Sequence, residues 1–142
     1  MSNNVVILRW QNEAVDRIKC EVVNSTSASA IAVGDSDFNP LDIWTHVACV
    51  YNATNVLLYV NGVLQTTVGN LTGLTRTSTS IVSIGGSSVF WWNGTIDEVA
   101  VWNRTLNYSE IQKLVTGYDH YSGSFKSNPI DLTDNFNYFN VS

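Results

Sequence analysis

NGTIDEVAVWNRTLNYSEI, residues 93–111, holds an acidic pair, a tryptophan in apolar company and the start of a helix. In an extended segment successive side chains point to opposite faces, so Asp97, Val99 and Val101 share one face and Ile96, Ala100 and Trp102 the other. Residues 90–103 therefore predict a strand, the last strong one of the chain. Downstream, Asn107 stands where an N-cap belongs, with Glu110 three residues on, and Gly117 suits the C′ position. The spacing predicts one short helix over 107–117.

Working outward, the N-terminal half reads as short strands. VVILRW at 5–10 is apolar at nearly every position, and DRIKCEV at 16–22 alternates, with Ile18, Cys20 and Val22 on one face and Arg17, Lys19 and Glu21 on the other. Residues 28–33, 44–51 and 56–60 are further strands, and 80–86 is a strand that ends in glycines. Asn61 and Gly62, between VLLYV and VLQTTV, are a strong hairpin signal, because both central positions of a type I′ turn need φ > 0. Many short strands, frequent turns and one helix predict an all-β sandwich. From Tyr118 the texture changes to an Asn-, Ser- and Phe/Tyr-rich segment, with 127–132 and 136–141 as candidate strands.

Bulk composition agrees. The chain has 142 residues, of which 44% are hydrophobic and only 13% charged. Ordinary domains carry roughly a quarter charged residues, so Asn, Ser and Thr must dress this surface. The length fits one domain able to bury a real core. Net charge is −5 and no run of Lys or Arg occurs, which makes nucleic acid and anionic membranes poor partners. No stretch approaches the ~20 apolar residues of a membrane span, and no secretory h-region follows Met1.

Seven N-x-[ST] sequons occur, at Asn24, Asn52, Asn70, Asn93, Asn103, Asn107 and Asn140. A composition this rich in Asn, Ser and Thr would supply about three by chance. The excess points to a glycosylated, extracellular or cell-surface protein; an Asn/Thr-rich surface without glycans is the plainer alternative. Cys20 and Cys49 are the only cysteines, both in strand-like segments, so they form either a buried thiol pair or one disulfide. With no CxxC or Cys/His spacing to mark a metal site, the reading leans to free thiols. His46 and His120 are too isolated to make a metal site.

The order of motifs resembles a known family. WTHVA at 44–48, LYVNG at 58–62, IGG at 84–86 and NGTIDEVAVWNRTL at 93–106 look like the blocks of laminin-G-like domains of the concanavalin A-type jelly-roll family, in the same order with similar gaps. The resemblance implies an antiparallel jelly-roll β-sandwich over 1–117 with a C-terminal extension over 118–142. It also implies a departure, since the family's domain usually begins several strands upstream of the segment matched by 5–33. The expectation is that the extension, or a neighbouring chain, completes the sandwich at the edge so exposed.

Candidate sites follow from residue chemistry and the resemblance together. Glycoside hydrolysis needs two carboxylates about 5 to 9.5 Å apart across a cleft, and the E-x-D-x-x-E pattern of hydrolases of this fold is absent. Asp97 and Glu98 are adjacent, so on a strand they cannot share a substrate. With no Ser/His/Asp order, phosphate loop or HExxH, the chain reads as no enzyme. Asp97 is the one calcium candidate that the resemblance offers, and a structural calcium is the only cofactor entertained, but calcium takes six to eight oxygens. A structural Asp held by hydrogen bonds is the simpler reading, and Glu98 reads as a surface carboxylate.

For carbohydrate, aromatic faces matter. The family pattern makes Trp44 packed and Trp92 buried, which leaves Trp91 as the better exposed platform; Trp102 is the second candidate, although the following helix is placed to cover it. For any single tryptophan here, core packing outweighs ligand stacking.

The reading is thus a non-catalytic extracellular or cell-surface module for glycan or protein binding and adhesion. Its contact loops are expected at 69–80 and 86–91. The alternative is a structural subunit, a homo-oligomer or filament built through edge-strand pairing.

Overall fold

The computed structural model describes residues 6–11, 17–35, 43–75, 83–86, 92 and 94–117. Among the described residues seven strands and one helix follow in the order β1 (Val6–Gln11), β2 (Arg17–Val23), β3 (Ser29–Val33), β4 (Val47–Tyr51), β5 (Asn55–Val60), β6 (Val63–Leu64), β7 (Gly69–Asn70) and α1 (Tyr108–Thr116). They form two antiparallel sheets, β1-β2-β3 and β4-β5-β6, with β7 also paired to β5. The mostly β sandwich with one short helix is the concanavalin A-like architecture expected above.

Alternation in β2 carries the first layer. Ile18, Cys20 and Val22 turn inward and are fully buried, while Arg17, Lys19 and Glu21 face outward. They meet Ala32 of β3, Val56 and Leu58 of β5 and Leu71 in one core cluster. β5 does not alternate because both of its faces are covered. Val56 and Leu58 point into the sandwich, while Tyr59, with Val50, lies beneath Leu106 and Ile111 of the helical segment.

Cys20 and Cys49 form a disulfide, with Cα atoms 5.7 Å apart. This corrects the expectation of free thiols. β2 and β4 belong to different sheets, and both cysteines belong to the layer between them, so the bond staples the sheets face to face.

The predicted hairpin is present: Asn61 has φ 48° and Gly62 φ 77°, the left-handed pair a type I′ turn requires. A Cβ on Gly62 would also lie 2.5 Å from Gln112 Nε2, which donates a hydrogen bond to the Gly62 carbonyl. The helix carries its predicted caps. Asn107 Oδ1 accepts from the Glu110 N–H, the Glu110 carboxylate accepts from the Asn107 N–H, and Gly117 ends the helix at φ 66°.

Two expected strands differ. Residues 44–51 pair only from Val47, whose partner is Val60, because β5 turns away at Asn61 and offers nothing further to pair with. Upstream of Val47 the Asn61 side chain takes over, accepting from the His46 N–H at 3.0 Å, and the Asn61 N–H donates to the His46 carbonyl. Residues 94–102 make no strand. Glu98 adopts φ 49°, which breaks the extended run, and the Asp97 carboxylate accepts its N–H at 2.7 Å. Residues 83–86 are likewise not a strand, while 80–82, 90, 91 and the extension 118–142 lie outside the described residues.

Candidate functional site

The segment around residues 92–105 runs along the flank of the second sheet. Glu98 is near enough to His46, just before β4, to act on its charge, and the Thr105 hydroxyl donates to the Tyr51 carbonyl at the strand's far end. Along this segment Ile96, Val99, Val101 and Trp102 are exposed, Val101 at 89% and Trp102 at 43%. The apolar row expected to pack inward therefore faces solvent, because the left-handed Glu98 takes it out of register with any sheet. Trp102, a candidate platform, presents nearly half its surface.

Two tryptophans expected to be packed are not. Trp44 is 69% exposed beside exposed Ile43. It lies beyond the last paired residue of β4, so no sheet holds it inward. Trp92 is also exposed, although its ring meets Trp10 edge-on with centroids 6.1 Å apart. The signal for Trp44 lay in the sequence: the Asn61-Gly62 turn ends the partner strand at Val60, and counting back places Trp44 outside the ladder. Trp91, the other platform candidate, lies outside the described residues.

Asp97 is exposed rather than buried-side, and its carboxylate serves the neighbouring N–H. Among the described residues no group of three or more His, Cys, Asp or Glu gathers to hold a metal. Asp97 alone supplies too few oxygens for calcium. Glu98 is a surface carboxylate, as expected. Burial pushes the His46 imidazole below its ordinary range, with the Glu98 charge acting the other way. His46 Nδ1 is buried and makes no hydrogen bond.

The sequons divide. Asn24 is only 6% exposed; its Nδ2 donates to the Thr72 carbonyl while its Oδ1 accepts from the Thr26 N–H, the Thr26 hydroxyl and the Ala28 N–H. The nitrogen a glycan would need is thus spent on a loop. Asn52, Asn70, Asn103 and Asn107 are exposed. Asn52 turns its oxygen to the Thr54 N–H and hydroxyl and the Asn55 N–H, and Asn70 accepts from Asn55 Nδ2. Asn93 and Asn140 lie outside the described residues.

With two disulfide-linked antiparallel sheets and a capped helix on one outer face, a family comparison becomes informative. The family model of the concanavalin A-like lectin/glucanases superfamily matches residues 1–112. The chain belongs to this superfamily. No curated protein and no solved structure matches it. Within this lectin-like and glucanase superfamily, a binding module is a plausible role for the fold. No described helix is long and apolar enough to cross a membrane.

Proposed function

We propose that this concanavalin A-like domain is a non-catalytic recognition module of an extracellular or cell-surface protein, binding glycans or surface proteins. The observation that carries this reading is the exposed cluster of Val99, Val101 and Trp102 on the flank of the second sheet. Exposed apolar surface of this kind marks contact sites, and an indole face suits a pyranose ring or a partner's apolar side chain. The Cys20–Cys49 bond supports a secreted setting, since such bonds persist in oxidising compartments. Against catalysis, the adjacent Asp97 and Glu98 form no facing pair, and Asp97 is occupied by a backbone amide.

A glycan array probed with the full chain, with and without calcium, tests the reading. Binding confined to one sugar class supports it; loss of that binding on calcium removal would add a calcium requirement, and Asp97→Asn then tests whether that carboxylate is one of the ligands. Array silence under both conditions counts against sugars and leaves only the protein-binding half.

A second reading has its own observation. Among the described residues β1 has β2 as its neighbour in the sheet, and its core-facing Val6 and Leu8 are 53% and 47% exposed. That strand supports a structural subunit that adheres or polymerises by strand pairing. Light scattering over a wide dilution range tests it, and a monomer at every concentration would rule it out.

A further inference from the structure

Five of the seven sequons lie among the described residues, and the fold gathers all five at one end of the sandwich. β4 and β5 set that end: Tyr51 pairs with Val56, and residues 52–54 turn between the two strands. Asn52 stands in the turn itself. Asn70 of β7 is paired with Asn55, and its Oδ1 accepts from Asn55 Nδ2 at 2.9 Å. The Thr105 hydroxyl reaches the Tyr51 carbonyl, which brings Asn103 and the helix cap Asn107 to the same place. The Asn24 loop joins them through the Thr72 carbonyl, next to Leu71, whose N–H donates to Thr54. The opposite end, marked by the Asn61-Gly62 turn and His46, has no sequon among the described residues.

The amide nitrogens at the crowded end are not alike. A sugar on a sequon replaces one hydrogen of Nδ2 and leaves Oδ1 free to accept. Asn24 and Asn52 make the same turn, in which each oxygen accepts the N–H and the hydroxyl of the threonine two residues on. Asn24, however, is buried and its Nδ2 donates to Thr72. Asn52 is exposed, and its Nδ2 makes no hydrogen bond among the described residues. Asn70 and Asn107 repeat the Asn52 arrangement. Both are exposed, with Oδ1 anchored by Asn55 Nδ2 in one and by the Glu110 N–H in the other, and with Nδ2 unbonded among the described residues. A sugar at these three positions breaks no hydrogen bond, whereas at Asn24 it would break the tie to Thr72. Asn103 is exposed but lacks an anchor for its oxygen.

We propose that Asn52, Asn70 and Asn107 carry N-linked glycans that crown this end of the sandwich. The proposal rests on the extracellular setting proposed above. In the transfer Nδ2 forms a bond to C1 of a sugar carried on a lipid pyrophosphate. The bond from C1 to the carrier oxygen breaks, and one amide proton leaves with the pyrophosphate. Because each Oδ1 is already held by a neighbour, each linkage leaves the surface in a set direction. The bulky, hydrated sugars then shield this end, and the Asn61-Gly62 end stays bare.

The full 142-residue chain, secreted behind a cleavable leader from a eukaryotic host, tests the sites. Its folded fraction should be trimmed with an endoglycosidase that leaves one sugar per site, and then mapped by peptide mass. Asn52, Asn70 and Asn107 should be occupied and Asn24 bare. Thr72→Ala and Ser109→Ala end the Asn70 and Asn107 sequons without touching either anchored oxygen. Each should delete one glycan, and the urea midpoint after sugar removal should match that of the parent, showing that the fold persists. A bare asparagine at any of the three positions, or sugar on Asn24 of the folded chain, overturns the proposal. The leader imposes the secretory route, so these outcomes judge the sites alone. Mapping the protein from its natural source judges the setting: sugar at the same three positions supports it, and their absence there would sink the extracellular reading.

Discussion

Reduction of the Cys20–Cys49 bond is the perturbation whose size follows most directly from the structure. The cysteines are 29 residues apart in sequence. Opening a loop of that length returns about 12 cal/mol/K of chain entropy to the unfolded state, or about 3.6 kcal/mol at 25 °C. Cys20 is fully buried in the inter-sheet core, and after reduction its thiol still fills the same space as a small apolar group, so packing changes little. Nearly all of the loss is then the cross-link itself. With a urea m-value on the order of 1.5 kcal/mol/M, the midpoint should fall by about 2.4 M between oxidised and reduced chains. Urea titration followed by tryptophan fluorescence, with and without reductant, measures it. A shift below about 0.5 M would refute the entropic reasoning. Alkylation of two thiols in denatured, unreduced protein would remove the bond altogether.

Other consequences can be read from single residues. Asn24→Ala should destabilise by about 2–3 kcal/mol, because it strands the Thr26 and Ala28 N–H groups and the Thr72 carbonyl; urea denaturation checks this. Glycopeptide mapping after secretion from a eukaryotic host should find Asn24 unmodified. Gly62→Ala forces a Cβ into a left-handed turn and against Gln112, at a cost of about 1–2 kcal/mol read from the same titration. Acid should act in two steps. The folded His46 imidazole is held low by burial, so the unfolded chain takes up its proton first and stability falls as pH drops through about 6.5. Asp35 is held low by the Thr66 hydroxyl and N–H, and Glu110 by Arg104 and the Asn107 N–H. Their stabilisation is complete at neutral pH and is lost as pH falls below about 4. His46→Gln should remove the first step and Asp35→Asn should reduce the second, both seen as changes in urea midpoint against pH.

Much of the fold was legible because local rules and tertiary context agree there. β2 alternates since one side is core and the other solvent; the Asn61-Gly62 turn and the Asn107/Glu110 caps are chemistry of a few adjacent residues. The disulfide was not legible, because whether Cys20 and Cys49 meet depends on how two sheets stack. Residues 94–102 misled for the opposite reason. Their apolar pattern fits a strand, but a strand needs a partner, and the left-handed Glu98 takes the segment out of any ladder. The exposure of Trp102 and Trp44 follows from that same lack of pairing; for Trp44 the Asn61-Gly62 turn carried the signal, whereas for Trp102 the left-handed Glu98 showed only in the structure.

The central claim is that the exposed flank recognises a ligand, and Trp102 tests it most directly. The full chain and its Trp102→Ala variant should be compared on a glycan array, and on a strongest-binding sugar by titration calorimetry, beside matched urea midpoints. The account predicts binding by the parent chain, at least a tenfold loss in the variant, and unchanged stability because nearly half of that side chain's residue surface is already in water. Equal binding by both proteins would move the site away from this flank. A loss of stability matching the loss of binding would make Trp102 part of the packing, contradicting its role as a contact residue.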